Sequence, residues 1–405
     1  MFAHSGVLKE RRAGTDDRNH VPPGRQLMKI AHVSDCYLPR AGGIERQVHQ
    51  LATRQWERGD HVEVITSVGH TQNDGSGVRV RRPSSPTRHP TDIRYSSSLS
   101  GRIAAIHGGF DLLHIHASTW SPLSYVTLAS AAKAGIPTVV TVHSLWSYAE
   151  PLFRSADRLA GWARWPAVWS AVSLPAAQPL RRALGPDVHV AILPNGIDAD
   201  EWRIHAAPRH PNRVVIATVG RLAERKRPRQ LLKILRRARE MVPATVRLEL
   251  IMVGDGPLRR ALERTIRRHD MGNWVRLLGP ANHDQIRALY EDVDFYVAPA
   301  KLESFGIAAL EARCAGLPVL AHAGSGIAGF IRDGQEGLLV GDDREMAATI
   351  AHLANSPSVR AQIRHHNLHT NPPVSWSAVL EECDVLYDDA RRLTFDGASH
   401  RSSPR

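Results

Sequence analysis

Phe295-Tyr-Val-Ala-Pro299-Ala-Lys-Leu-Glu303-Ser-Phe-Gly306-Ile-Ala-Ala-Leu-Glu311 reads as a strand that stops at a proline, a short loop, and a helix starting near Phe305. In an open parallel α/β sheet, ligands bind beyond the carboxyl ends of the strands, which is where this loop falls. The first amides of a helix have no intrahelical partner and can face an anion, with the helix dipole behind them. Gly306 lets a ligand approach the backbone closely. Glu303 precedes the helix, and Glu311 lies about one and a half turns into it at ~1.5 Å per residue. The two carboxylates therefore need not touch the same part of a ligand.

The same alternation extends in both directions. Short β-branched runs are followed by helical stretches, the pattern of a parallel α/β sheet. Strands are expected near 28–34, 61–67, 78–83, 112–117, 138–143 and 188–193, then near 213–219, 247–253, 274–278, 294–298, 317–322 and 337–340. Helices are expected near 43–58, 122–134, 227–241, 257–269, 283–291, 305–315 and 343–354. Two sets of about six strands make two similar doubly wound domains, 28–200 and 201–373, with the linker in Asp198–Asn212 where Pro208 and Pro211 stand. A helix over 374–393 is expected to pack back on the first domain, although an ordinary terminal helix on the second fits the pattern equally well. Residues 1–27 and 394–405 read as disordered ends.

Composition is consistent with this. The chain has 405 residues, 42% hydrophobic and 23% charged, which suits globular domains and excludes a fibrous or wholly disordered protein. No apolar run reaches the ~18–20 residues of a membrane span. The opening residues lack the apolar block of a secretory leader, so a cytoplasmic site is expected. Cys36, Cys314 and Cys383 are far apart in sequence, which argues against a disulfide framework and a cysteine zinc site. The net charge of +12, carried almost wholly by arginine, would attract nucleic acid, anionic membrane or phosphorylated small molecules alike.

Four further segments bear candidate chemistry. Val219-Gly-Arg-Leu-Ala-Glu-Arg-Lys226-Arg-Pro228 puts Arg221 and Lys226 just past a strand end, where two cations suit a diphosphate; a solvated basic loop is the competing reading. Ile251-Met-Val-Gly254-Asp-Gly256-Pro257 is a tight glycine turn before a helix, more simply structural than ligand-binding. Ser34-Asp-Cys-Tyr-Leu-Pro39-Arg-Ala-Gly42-Gly43-Ile-Glu-Arg46 opens a helix with a glycine pair but lacks the GxGxxG dinucleotide fingerprint. His143 closes a strand and is balanced between hydrogen-bonding a substrate and packing, whereas His114 and His116 read as packed strand residues. Trp162, Trp165 and Trp169 fall at helical spacing; they either pack inside the domain, the favoured reading, or sit on a membrane surface.

Taken in order, these segments resemble the retaining glycosyltransferases of family 4, which have the GT-B fold. The resemblance runs over most of 28–392. It rests on Gly42-Gly43, Thr-Val-His143-Ser, Leu193-Pro-Asn-Gly-Ile-Asp198, Val219-Gly-Arg-Leu with Lys226, Val253-Gly-Asp-Gly-Pro257, the Glu303-to-Glu311 pair, Gly316-Leu-Pro-Val319 and Asp333-Gly-Gln-Glu-Gly-Leu-Leu-Val340.

The resemblance implies a nucleotide-diphosphate sugar donor, a GDP- or UDP-sugar, on the second domain. The acceptor, a sugar, lipid-linked or small-molecule hydroxyl, would sit on the first. By resemblance, Arg221 and Lys226 hold the diphosphate, and Gly42, Gly43, Gly254, Ser304, Phe305 and Gly306 contribute around it. Glu303 would meet the donor sugar, Glu311 the ribose, and His143 the reacting sugar. The resemblance implies no metal and no further cofactor. It also suggests glycolipid or polysaccharide synthesis, with peripheral contact to an anionic inner membrane face. One position departs: Gly329 stands where many relatives carry an acid. A GT-B-like epimerase or phosphorylase is the alternative enzyme. A basic nucleic-acid-binding protein is a remote one, since the arginines are spread along the chain and no binding module is visible.

Overall fold

Lys29–Ser34 shows why this chain folds as it does: Ile30, Ala31 and Val33 are fully buried, so the strand is apolar towards both faces. Such strands belong in parallel sheets covered by helices on each side. The computed structural model describes residues 26–39, 42–68, 77–82, 105–147, 149–204 and 212–401.

The first sheet contains β1 (Lys29–Ser34), β2 (His61–Thr66), β3 (Arg79–Arg81), β4 (Leu112–Ala117), β5 (Thr138–Val142), β6 (Val168–Ala171) and β7 (Val190–Ile192). The second contains β8 (Arg213–Val219), β9 (Arg247–Val253), β10 (Val275–Gly279), β11 (Phe295–Ala298), β12 (Val319–His322) and β13 (Gly337–Val340). Their orders are β3-β2-β1-β4-β5-β6-β7 and β10-β9-β8-β11-β12-β13, with parallel pairing. Each sheet thus reverses direction once, between β1 and β4 and between β8 and β11. That reversal opens a crevice at the strand ends. The architecture is α/β, two doubly wound Rossmann-like halves facing across a cleft.

Helix ends follow local chemistry. Pro122–Ala134 stops at Gly135, which takes a left-handed conformation at φ 67°. His283–Tyr290 opens with a capping box between Asn282 and Gln285, and Asp342 caps Asp343–Asn355.

The structure differs from the sequence expectation in several elements. The first sheet has a seventh strand, β6: the helical spacing of Trp162, Trp165 and Trp169 makes no helix, since Trp162 lies in a 3-10 turn and Trp169, beyond Pro166, in β6. Trp162 is buried against Trp146, Phe153 and Trp169, Trp169 is buried as well, and Trp165 is half-buried against the same core, so packing inside the domain accounts for this segment. Helices Glu150–Ala160, Leu174–Leu184 and Pro357–His369 were not anticipated. Most of the expected disordered N-terminal stretch, and 205–211 of the linker, lie outside the described residues.

The final helix, Trp376–Arg401, continues past the expected end at 393. It crosses to the first sheet, where Trp376, Val379, Leu380, Leu386 and Tyr387 cluster with Ile30, Leu112, Val139 and Leu193. Phe395, at 68% exposure, lies beyond that packed face.

Candidate active site

The two halves enclose a cleft of about 1210 Å³ at the carboxyl ends of both sheets. β8 and β11 flank the reversal point of the second sheet, and the segments that follow them meet there. After β8, Glu224–Lys226 forms a 3-10 turn and Arg227 adopts a left-handed conformation at φ 55°. The Arg227 guanidinium donates to both Asp343 oxygens, at 2.9 and 2.6 Å, and to the Pro299 carbonyl at 2.9 Å. This clamp ties the β8 loop to the β11 loop and sets Lys226 at the cleft wall, where its ammonium pairs with Glu303 of the same half. Arg221 also lines the cleft and is exposed, with no protein partner among the described residues.

The loop after β11 places the helix start two residues later than expected, at Ile307, with Gly306 as its cap at φ 94°. A side chain at Gly306 would come within 2.4 Å of Ile327 Cγ1, so glycine is required for both conformation and space. Among the described residues, the amides of Ser304, Phe305 and Gly306 have no protein acceptor, while all three residues line the cleft. Unpaired amides at a helix start, one ammonium and one guanidinium are groups of the kind that can hold an anion.

Glu311 lines the same cleft deeper in the helix. Burial pushes its carboxyl up to about 7, opposed by Arg46, whose guanidinium lies 3.9 Å away on the first half. Gly42 and Gly43 start the helix Gly43–Glu57 on the opposite wall. A side chain on Gly43 would come within 2.9 Å of Ile307 Cδ1, so glycine lets the two helix starts approach closely. The Ser173 hydroxyl donates to the Ser304 carbonyl and forms a second bridge between the halves.

His143 follows β5 and lines the cleft. Burial lowers its pKa to about 4, so its ring is neutral at pH 7. Gly254 is the expected residue that does not line the cleft: at φ 125° it packs so closely on Gly220 that a side chain would come within 2.1 Å of the carbonyl oxygen. Its neighbours Val253 and Asp255 reach the cleft instead. Gly329 lies in the 3-10 turn Gly326–Gly329, away from the lining, with open space where a side chain would start.

Sequence reasoning did not single out Trp120, Asn195, Tyr296 and Arg227. Trp120 is 70% exposed at the cleft, and Asn195, in the segment Leu193-Pro-Asn-Gly-Ile-Asp198, lines it as a buried polar residue. Arg227 had a positional signal, since Pro228 at the first helical position makes the residue before it the N-cap, although arginine carries no acceptor with which to cap. Its left-handed backbone had no signal.

Two family models divide the chain between them. Residues 41–201 match "Glycosyltransferase Family 4" and residues 200–368 match "Glycosyl transferases group 1". The chain is a family-4 glycosyltransferase. The glycosyltransferase is 26% identical over 437 residues to the D-inositol 3-phosphate glycosyltransferase of Salinispora arenicola, covering 96% of each chain. It is 27% identical over 311 residues to one subunit of the phosphatidylinositol N-acetylglucosaminyltransferase of Homo sapiens; that match takes in 74% of this chain and 62% of the human one. Its fold matches Anabaena HepE, solved in complex with UDP and glucose, with a TM-score of 0.68 at 20% identity over 93% of this chain and 100% of that one. WaaG, a glycosyltransferase involved in lipopolysaccharide biosynthesis, matches with a TM-score of 0.67 at 19% identity, over 88% of this chain and 99% of that one. These neighbours confirm the GT-B architecture. No helix among the described residues is long and apolar enough to cross a membrane.

Proposed function

We propose that this glycosyltransferase moves a hexosyl group from a nucleoside-diphosphate sugar, a UDP- or GDP-sugar, to an acceptor hydroxyl with retention at the anomeric carbon. The observation that carries the reading is the convergence of Lys226, Arg221 and the unpaired amides of Ser304–Gly306 beside Glu303 in one cleft.

As the anomeric bond breaks, negative charge grows on the departing diphosphate. The ammonium, the guanidinium and the amides stand ready to stabilise it without reorganising, and they supply the charge that a metal would otherwise provide. Glu303, held by Lys226, accepts hydrogen bonds from hydroxyls of the donor sugar. Glu311 does the same for the ribose, and His143 lies against the reacting sugar. The carboxylate Glu303 is engaged in its ion pair, so attack on the same face as the departing diphosphate fits better than a covalent glycosyl-enzyme. A phosphate oxygen of the leaving group takes the acceptor's proton. The halves close over the cleft and keep water from the donor.

The acceptor, a sugar, a lipid-linked group or a small-molecule hydroxyl, binds against the first half beside Trp120. Contact with an anionic membrane face is supported by the net charge alone. Sedimentation with and without anionic vesicles tests it, and equal pelleting in both would end it.

The donor reading is tested by Lys226→Ala and Arg221→Ala. Each is expected to lower kcat by ~10²–10³. Near-normal turnover in both would overturn the assignment. Thermal shifts against UDP-, GDP- and ADP-sugars identify the base, because a ligand at 100 times its Kd adds about 2.7 kcal/mol. The anomeric proton coupling of the product decides retention.

A further inference from the structure

A continuous line of hydrogen bonds leads from the cleft along the face of the first sheet that the last helix covers. His143 Nε2 lies 3.0 Å from His116 Nδ1. His116 Nε2 lies 2.9 Å from His32 Nδ1, and His32 Nε2 lies 2.7 Å from Gln55 Oε1. Gln55 Nε2 donates to the Tyr387 hydroxyl at 2.8 Å, and that hydroxyl lies 2.8 Å from His114 Nδ1. His114 Nε2 then meets Thr141 Oγ1 at 2.7 Å, and Thr141 meets Ser170 Oγ at 2.8 Å. His32, His114 and Tyr387 are fully buried and Gln55 is 1% exposed.

A neutral imidazole has one donor nitrogen and one acceptor nitrogen. Burial holds all four histidines below their ordinary value, so all are neutral. The Gln55 carbonyl only accepts, so His32 carries its proton on Nε2. His32 Nδ1 then accepts from His116 Nε2, and His116 Nδ1 accepts from His143 Nε2. That leaves His143 Nδ1 unprotonated, with no protein partner among the described residues, on a ring that lines the cleft. The other branch follows the same logic. Tyr387 accepts from the Gln55 amide, so its own proton goes to His114 Nδ1, and His114 Nε2 donates to Thr141. Turning the Gln55 amide over would reverse every proton in both branches.

We propose that Gln55 and Tyr387 are positioning residues that set, through His32 and His116, which tautomer His143 presents to the substrate. With Nδ1 bare, His143 accepts a hydrogen bond from a sugar hydroxyl. The opposite tautomer would donate one and would have no use for that hydroxyl's proton. Tyr387 belongs to the helix Trp376–Arg401 and never reaches the cleft, so the last helix of the chain contributes to the site at a distance. His32, His114 and His116 also stand close enough together to hold a metal ion. All six of their ring nitrogens already have hydrogen-bond partners, however, so protons hold this cluster together.

The kinetic consequence rests on the reading that His143 touches the reacting sugar; the tautomer itself does not. Long-range proton–nitrogen NMR of the full chain, labelled with 15N-histidine and free of ligand, reads the tautomer directly. The wild type is expected to show His143 in the Nε2–H form alone. Gln55→Met and Tyr387→Phe are expected to show both forms. In transfer assays kcat should fall about tenfold, the cost of one misdirected hydrogen bond, while the donor KM stays within about twofold. His143 in the Nδ1–H form in the wild type, an unchanged tautomer in both variants, or one zinc ion retained per chain after dialysis against a chelator would each overturn the proposal. Should neither variant fold, the wild-type spectrum decides alone. Absence of any transfer activity would count against the donor reading and leave the NMR result to judge this one.

Discussion

Glu311 carries a cost that the glycosyltransferase accepts for its position. Its folded-state pKa of about 7 lies above the ordinary 4.5 because the carboxyl is buried, and Arg46 at 3.9 Å only partly compensates. For an acid with a raised pKa, the folded state holds the proton longer than the unfolded state does. Stability therefore falls as pH rises from about 4.5 to about 7, by roughly 3 kcal/mol at most if nothing else relaxes. Glu311→Gln removes that dependence. Urea midpoints should show the variant more stable than wild type at pH 8, with the gap closing by pH 4.5. A gap that is constant with pH would show that folding leaves the carboxyl's pKa where it stands in the unfolded chain. The variant should also bind donor more weakly, since a carboxylate is the better acceptor for ribose hydroxyls. Stabilisation together with lost binding is the pattern of a residue kept for function.

At the scale of elements, the segment between β11 and its helix is the feature on which the site depends. Gly306 combines a positive φ of 94° with a prospective Cβ contact of 2.4 Å on Ile327. Gly306→Ala should cost roughly 1–3 kcal/mol, from strain plus overpacking. It should also move the Ser304–Gly306 amides enough to weaken donor binding by more than the stability loss explains. Adding Ile327→Ala relieves the contact but not the φ, so it should restore part of the stability and little of the binding. Equal recovery of both would mean that crowding alone mattered. Strand–loop–helix units of this kind were legible because β-branched runs, Pro299 and Gly306 are local signals, and the two doubly wound parallel sheets followed from their alternation. Val168–Ala171 was missed because four residues with a tryptophan and a serine carry no alternation of their own, and Trp162, Trp165 and Trp169 suggested a helical period instead. Glu303, Lys226 and Glu311 were visible as candidates. The Arg227 clamp was not, because its partners Pro299 and Asp343 are separated from it by 72 and 116 positions. The histidine line was invisible for the same reason: His114 and Tyr387 stand 273 residues apart, and each alone looks like an ordinary core residue.

At the scale of the whole molecule, the chain leaves the first half near Trp202, builds the second, and returns to the first with its last helix. Val379, Leu380, Leu386 and Tyr387 fill a face that would otherwise leave Ile30, Leu112, Val139 and Leu193 in water, while Arg58 reaches Asp384 at 2.6 Å and Arg54 lies over Trp376. Each large apolar side chain buried there contributes about 1.5–3 kcal/mol. Together they rival the ~5–15 kcal/mol that separates a folded domain from its unfolded chain. The first half is therefore not a folding unit by itself, even though its seven strands are contiguous in sequence. A chain ending at Ser375 should be found in aggregates or as a species without a cooperative unfolding transition, and a chain ending at Arg401 should behave as wild type. Sedimentation and denaturant titration read both. If the shorter chain is monomeric and unfolds at the wild-type midpoint, the helix is an accessory. If it is monomeric but destabilised, adding the 376–401 segment as a separate peptide should recover the midpoint, because the missing contribution is surface burial and does not depend on the covalent link.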